Sequence, residues 1–260
     1  MIPSRITENS IALGMKEAVS APAEAARVRT AEHLPFTIEL VETEAQLAKA
    51  VYIRQKAYAR HLPEFASGLQ TPEPYDFEPG CAVFLAESKL DGSPVGSIRV
   101  QTNHYARLKL EQSVELPDEL AQRSLAEITR LGITLGHAGR LVKVALFKAM
   151  QLYCQVAQID SMVVCMRAPL DKPYFDLGFE DVYPSGEYIP MPHIGNIPHR
   201  VLALNVATLE RRWHETHHPL HKFFFRTFHP DIRPFGRSPL TAPAVVEKTA
   251  HQTHLRPELG

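Results

Sequence analysis

The chain of 260 residues lacks an excess of either charge: 28 Lys and Arg stand against 29 Asp and Glu, a formal net charge of −1. No global field therefore favours nucleic acid as a partner. No apolar run approaches the ~20 residues that a spanning helix needs. The first thirty-five residues also lack the continuous apolar stretch of a secretory signal. Cysteine is scarce. Cys81, Cys154 and Cys165 are odd in number and lie in apolar runs, the pattern of reduced core thiols and not of a disulfide framework, so a cytoplasmic setting is expected. What is plentiful is ordinary for a globular fold, 45% hydrophobic and 22% charged residues. One domain over residues 35–230 is expected, with a flexible arm over 1–34 and a mobile tail over 231–260.

The stretch that organises the chain is Ala126-Glu127-Ile128-Thr129-Arg130-Leu131-Gly132-Ile133, an apolar and β-branched run with two opposite charges inside it. Charges within a central strand are costly unless they are paired or working. Glu127 and Arg130 are three apart, so a regular strand sends them to opposite faces. A β-bulge turns both toward one site and splays backbone N–H groups that can polarise a carbonyl oxygen. An edge strand with solvated charges is the plain alternative, and Ile128, Leu131 and Ile133 argue against it. A turn from Thr134 to Gly139 leads into an apolar helix over Arg140–Ala157. A strand over Ser161–Arg167 and a short helix closing on Leu177-Gly178-Phe179 complete the segment. Gly136 and Gly139 before the long helix make its N-terminus a candidate anion site, although most such turns bind nothing.

Upstream, Phe36–Val41 alternates as a strand does, and Thr43 with Gln46 makes a capping box that opens a helix to about His61. In that helix Leu47, Val51, Arg54 and Tyr58 share one stripe, so Arg54 points where the apolar residues point. An arginine snorkelling past the stripe and a guanidinium aimed at a buried carboxylate fit this pattern equally. The sharper reading pairs Arg54 with Glu127, with Arg99 or Arg130 beside them. The proline-rich stretch 62–80 reads as an irregular loop holding Asp76 between Tyr75 and Phe77. Strands follow at Cys81–Glu87 and Val95–Gln101, joined through the Asp91-Gly92 turn, and the second carries Arg99. After a loop over 184–200 come a strand, Val201–Val206, and a helix from about Ala207.

Taken together, Arg54-x-x-x-Tyr58, Asp76, Val95-Gly96-Ser97-Ile98-Arg99-Val100 and Glu127-Ile128-Thr129-Arg130 resemble the N-acyl amino acid synthase (FeeM-type) branch of the GNAT superfamily, over about Phe36 to Val206. They also resemble the related acyl-homoserine lactone synthases. The resemblance implies an α/β fold, a GNAT-like mixed twisted sheet of about six or seven strands with helices on both faces. It implies an acyltransferase with Glu127, Tyr174 and Arg130 in catalysis and Arg54, Asp76 and Arg99 at the substrate. Pro173-Tyr174-Phe175-Asp176-Leu177-Gly178-Phe179 is similar to the Phe-Tyr-x-x-Leu-Gly-Phe segment of GNAT enzymes. Tyr174 there falls on the tyrosine that protonates the leaving thiolate; a packing tyrosine is the alternative.

Ordinary GNAT enzymes cradle the pyrophosphate of coenzyme A with Arg/Gln-x-x-Gly-x-Gly/Ala. Here Gly139 matches the first residue after that loop's arginine, while Leu141 and Lys143 stand where further glycines are expected, and side chains block close backbone approach. The resemblance therefore implies an acyl carrier protein thioester as donor, with acyl-CoA as the alternative. Gly139, Arg140 and Lys143 would hold its single phosphate, the acceptor would be a small amine or amino acid, and no cofactor would be tightly bound. An acyl-homoserine lactone synthase using S-adenosylmethionine and a non-catalytic acyl-binding module are the rival readings.

Two further features stand apart. His214-Glu215-Thr216-His217-His218 spells a zinc-protease string, but Pro219 ends the helix at once, and a chance match with adventitious metal binding at most is expected. From Arg211 to Arg237 six Lys and Arg face two acids, interleaved with Phe223, Phe224, Phe225 and Phe228. An acidic carrier protein docking there, plain packing against the sheet, and peripheral contact with an anionic membrane are three readings of that segment.

Overall fold

Alternating apolar runs build the sheet that positions everything else. The computed structural model describes residues 30–192 and 196–235. Its strands are β1 (Thr30–Ala31), β2 (Phe36–Leu40), β3 (Cys81–Ser88), β4 (Pro94–Thr102), β5 (Leu125–Ile133), β6 (Ser161–Met166), β7 (Glu180–Asp181), β8 (Ile189–Met191), β9 (Ile197–Asn205), β10 (Thr227–Phe228) and β11 (Ile232–Arg233). The helices are α1 (Glu44–Ala59), α2 (Pro63–Ser67), α3 (Lys109–Ser113), α4 (Asp118–Ala121), α5 (Gly136–Val156), α6 (Lys172–Phe175) and α7 (Leu209–Glu215). The main sheet runs β11-β2-β3-β4-β5-β6-β9-β7, with β8 on β9, while β1 and β10 pair separately. Only the β11–β2 and β5–β6 pairings within it are parallel. The six strands of five residues or more are those the apolar patterning marks.

Helices cover both faces. Gly96 on β4 approaches Val142 and Leu146 of α5, whereas Gly132 on β5 approaches the backbone of Arg54 on α1, and these two glycines point to opposite sides. On the α5 side lies the larger core, with Phe84, Ile98, Ile128, Leu146, Met150 and Val164 fully or nearly fully buried. On the α1 side, Leu108, Leu110, Val163, Cys165 and Val201 form a second cluster. The capping box of α1 is present: Thr43 Oγ1 accepts from Gln46 N–H at 3.2 Å, and Gln46 Oε1 accepts from Thr43 N–H at 3.1 Å. Among the described residues no helix is long and apolar enough to cross a membrane.

The ordered unit runs past the boundaries expected near 34 and 231. Leu34 N–H donates to Asp231 Oδ2 at 2.8 Å, and β11 extends the sheet beside β2. The remainder of the expected arm and tail lies outside the described residues.

The basic, aromatic segment after Arg211 is built into this fold. Lys148 on α5 is buried and donates to the carbonyls of Phe223 (2.8 Å) and Thr227 (2.6 Å), and meets His229 Nδ1 at 2.8 Å. Phe224 and Phe225 are buried against Trp213. Arg212 pairs with Glu180, Arg226 with Glu210 at 2.6 Å and Arg233 with Glu39 at 2.7 Å. Local acids thus neutralise much of the charge, and packing explains the buried phenylalanines. In the His-Glu-x-x-His string, His218 Nε2 lies 2.7 Å from the Asp176 carbonyl and its Nδ1 accepts from Leu220 N–H, so both ring nitrogens are engaged.

Candidate active site

The expected bulge is present, and its position follows from the register. β4 residues 97 and 99 pair with β5 residues 132 and 129, so β5 carries one extra residue there. Arg130 takes it up with φ 56°, a left-handed conformation that costs a non-glycine residue energy and persists where the surroundings enforce it. Glu127 faces Gln101 and Thr129 faces Arg99 across the pair, placing all four on the α1 side. The extra residue swings Arg130 to that same side, where it reaches a carboxylate. Gly132 lets α1 come this close: a Cβ there would stand 2.8 Å from Arg54 Cα.

Three arginines converge on two carboxylates. Arg54 makes a two-pronged bond to Asp76, Nη1 to Oδ2 at 2.9 Å and Nη2 to Oδ1 at 3.0 Å. Arg130 grips Glu73 in the same way, with both bonds at 2.7 Å. Arg99 Nη1 bridges the two acids, 3.2 Å from each. Asp76 in turn accepts from Glu73 N–H at 2.8 Å, which closes the Pro74–Phe77 turn. The Arg54 side chain is 1% exposed and that of Asp76 fully buried. Burial alone would raise both carboxyls, yet the hydrogen bonds and charges of the arginines hold them below their usual range.

This corrects the expected pairing. Arg54 is buried and paired as the sharper reading required, but its partners are Asp76 and Glu73, and no ion pair joins it to Glu127. Glu73 was missed. It lies between two prolines in a stretch without periodicity, and only the loop's fold brings it beneath Arg130.

Glu127 is left without a cation in contact among the described residues. It is 4% exposed and accepts only a long 3.4 Å bond from Leu110 N–H. Burial pushes its carboxyl above the ordinary range, against the opposing pull of that bond and of Arg99, Arg130 and Lys109 at longer reach.

The strands explain where a substrate fits. β6 pairs with β5 only as far as Glu127↔Val163, and beyond that point the two diverge. A cavity of about 490 Å³ occupies the opening and is lined from both faces of the sheet. On the α1 side its wall holds Glu127, Gln101, Arg99, Tyr75, Lys109 and His199. On the α5 side it is apolar, with Leu131, Ile133, Phe147, Leu170, Tyr174 and Leu177, and it ends at the first turn of α5 with Gly139, Arg140 and Lys143. Leu125 accepts from Asn103 N–H across β4. By alternation, the backbone groups of Glu127 and Thr129 also turn to β4, and those of Ile128 turn to the opening.

The expected turn before α5 is instead its first turn, with Gly136 at φ 85°. A Cβ on Gly139 would meet the Thr134 carbonyl oxygen at 2.1 Å, so that turn folds back on the end of β5 only with glycine there. Tyr174 is buried on α6 with its ring edge-on to Phe147 and Phe179, and burial keeps its hydroxyl well above the usual phenol range. His199, Gln101, Tyr75 and Lys109 escaped the sequence reading. His199 Nδ1 lies 2.7 Å from the Ile197 carbonyl, which sets Nδ1 as the protonated nitrogen and leaves Nε2 an acceptor. Its membership of the site follows from β9 beginning at Ile197, four residues before the expected Val201.

A family model described as N-acyl amino acid synthase FeeM matches residues 45–205. Among solved structures, FeeM, an N-acyl amino acid synthase from uncultured soil microbes, is similar at 18% identity and TM-score 0.54, covering 72% of this chain and 96% of its own. BjaI, a CoA-dependent acyl-homoserine lactone synthase, is similar at 14% identity and TM-score 0.50, covering 75% and 93%. At these identities the two structures establish a shared fold. No curated protein matches the chain.

Proposed function

The chain belongs to the FeeM family of N-acyl amino acid synthases, and from that premise we propose that it transfers a fatty acyl group from an acyl carrier protein thioester to the amine of an amino acid. It is an acyltransferase of GNAT fold. The observation that carries the finer reading is the cavity that crosses the sheet where β5 and β6 part, apolar on one face and holding a buried carboxylate on the other. The apolar side suits an acyl chain, and the Glu127 side suits an amine.

In this reading the acceptor enters on the α1 side and its nitrogen attacks the thioester carbonyl carbon. Glu127 accepts the proton that nitrogen must lose. Backbone N–H groups at Ile128 and the bulge face the developing oxyanion. The tetrahedral intermediate then collapses with cleavage of the C–S bond, and Tyr174 donates its proton to the departing thiolate. Its elevated pKa suits an acid that stays protonated until a thiolate forms. Tyr174→Phe is accordingly expected to lower kcat by about 10² with the thioester KM little changed, measured by thiol release.

The donor's arm passes the first turn of α5, where Arg140 and Lys143 neutralise its phosphate. These two and Arg60, all on the cavity wall, make the basic rim on which an acidic carrier protein docks. The exposed Leu135 stands among them. Arg140→Glu with Lys143→Glu should raise the carrier-protein KM at least about tenfold at low salt and leave kcat nearly intact, with the wild-type KM climbing as salt rises. An equal effect on acyl-CoA and on the carrier thioester would leave phosphate binding alone and remove docking. The buried thiols of Cys154 and Cys165, both pushed up by burial, fit a reducing, cytoplasmic setting.

The test of the whole reading is direct. The protein is incubated with palmitoyl-acyl carrier protein or palmitoyl-CoA and the twenty amino acids, and products are read by mass spectrometry. An N-palmitoyl amino acid made from the carrier thioester supports it. Product from coenzyme A alone reassigns the donor, and the absence of any amide overturns the function.

A further inference from the structure

The α1 side of the cavity has two ends of opposite character. At one end stand Glu127 and Gln101, cross-strand neighbours on β5 and β4. Gln101 is buried, and its Nε2 donates to the Pro79 carbonyl at 2.9 Å. A carbonyl accepts only from the amide's NH₂, so Oε1 is turned the other way, and it has no partner. This end therefore offers a carboxylate and an orphaned acceptor, and it calls for N–H donors.

Lys109 stands at the other end. It is the residue before Leu110, whose N–H reaches Glu127 Oε2, so the two ends are close. Lys109 is half-buried, with Nζ over the Tyr75 ring at 3.8 Å, and no carboxylate lies within ion-pair distance of it among the described residues. Tyr75 is itself held in the Pro74–Phe77 turn that Asp76 closes, with Arg99 against its ring at 5.7 Å. The ionic frame therefore fixes the platform on which the ammonium rests. A partly desolvated cation kept near a buried carboxylate, yet out of contact with it, leaves a gap that is negative at one edge and positive at the other.

We propose that Lys109 anchors the carboxylate of the acceptor, so that the site selects zwitterionic α-amino acids over plain amines. This rests on the acyl-transfer reading and names the residue that gives that reaction its acceptor class. An α-amino acid spans such a gap with its nitrogen at Glu127 and Gln101 and its carboxylate at the ammonium. The charges then neutralise one another beside the buried Glu127 and Gln101, where partial desolvation makes each contact count for more. An amine without a carboxylate leaves Lys109 unmatched.

The test compares leucine with isoamylamine and phenylalanine with phenethylamine, each with palmitoyl-acyl carrier protein as donor. Wild type should prefer the amino acid of each pair. Lys109→Gln should raise its KM by about 10- to 100-fold with kcat within a few-fold, and leave the KM of the amine unchanged. Lys109→Arg should restore much of the preference. Melting curves of both variants, matched to wild type, exclude a folding defect. A Lys109→Gln enzyme that keeps the wild-type preference, or loses both acceptors equally, overturns the assignment while leaving the acyl transfer standing. If wild type acylates neither amine nor amino acid, the acyl-transfer reading fails first and this one falls with it.

Discussion

Asp76→Ala should be among the most damaging single changes in the chain. It is expected to remove about 3–5 kcal/mol of stability, because a buried ion pair broken from one side leaves the other charge stranded. The stranded charge is Arg54, 1% exposed and held otherwise only by a 3.2 Å contact to Glu73. The Pro74–Phe77 turn also loses the bond that closes it, so Tyr75 leaves the cavity wall and activity falls with stability. Denaturant midpoints should show the loss directly. Glu73→Gln keeps its shape, lies 19% exposed at the side chain and should cost less. Linkage gives the sign of the acid response. Both carboxyls titrate lower in the folded state than in the unfolded chain. Their contribution is therefore whole above the unfolded pKa and is lost as pH falls through the folded one. Wild type should weaken steeply in acid, and Asp76→Ala should show a shallower slope. An Asp76→Ala protein as stable as wild type at neutral pH would make the frame an ornament.

Glu127→Gln has the opposite signature. Loss of the base is expected to lower kcat by about 10²–10⁴ and to abolish the acid limb of the kcat/KM profile. That limb in wild type should lie above the ordinary carboxylate range, since burial raises this group. Stability should move the other way. A carboxyl with a raised folded pKa contributes stability that is present below its unfolded pKa and lost as pH climbs through the folded one. Once pH has climbed through that folded pKa, the ionised, unpaired Glu127 is a burden, and the neutral amide relieves it. The variant should melt above wild type on the alkaline side of that pKa and match it in acid. Calorimetry at two pH values, read beside the activity assay, checks both halves. Equal melting at both values would mean that Glu127 is already neutral or well solvated in the resting protein.

The contrast between these carboxylates shows which parts of the site were legible in the sequence. Arg54 on an apolar stripe and two charges three apart in an apolar strand are conflicts with local rules, and each resolved into a functional feature: a buried ion pair and a bulge. The strands were legible for the same reason, since burial on one or both faces writes a period into the chain. Glu73 had no such signature. Loop residues obey no period, and a carboxylate between prolines reads as solvated whether or not an arginine lies beneath it. Periodicity therefore points the sharper reading of Arg54 at Glu127, the buried acid that it can find. Lys109 and Gln101 were hidden differently. The first opens a five-residue helix too short to show a period, and the second passes as an ordinary strand residue until the register sets it opposite Glu127.

The parting of β5 from β6 also bears on the order of events. An opening lined from both faces of the sheet lets one substrate arrive from each side, so neither has to depart before the other enters. The thiol on its wall, Cys165, is held far from ionisation by burial and by the charge of Glu127, which disqualifies it as a way-station for the acyl group. On the proposed reaction, transfer should therefore pass straight from donor to acceptor with both aboard. Double-reciprocal plots at several fixed donor concentrations should intersect, and the protein caught between turnovers should carry no covalent mass.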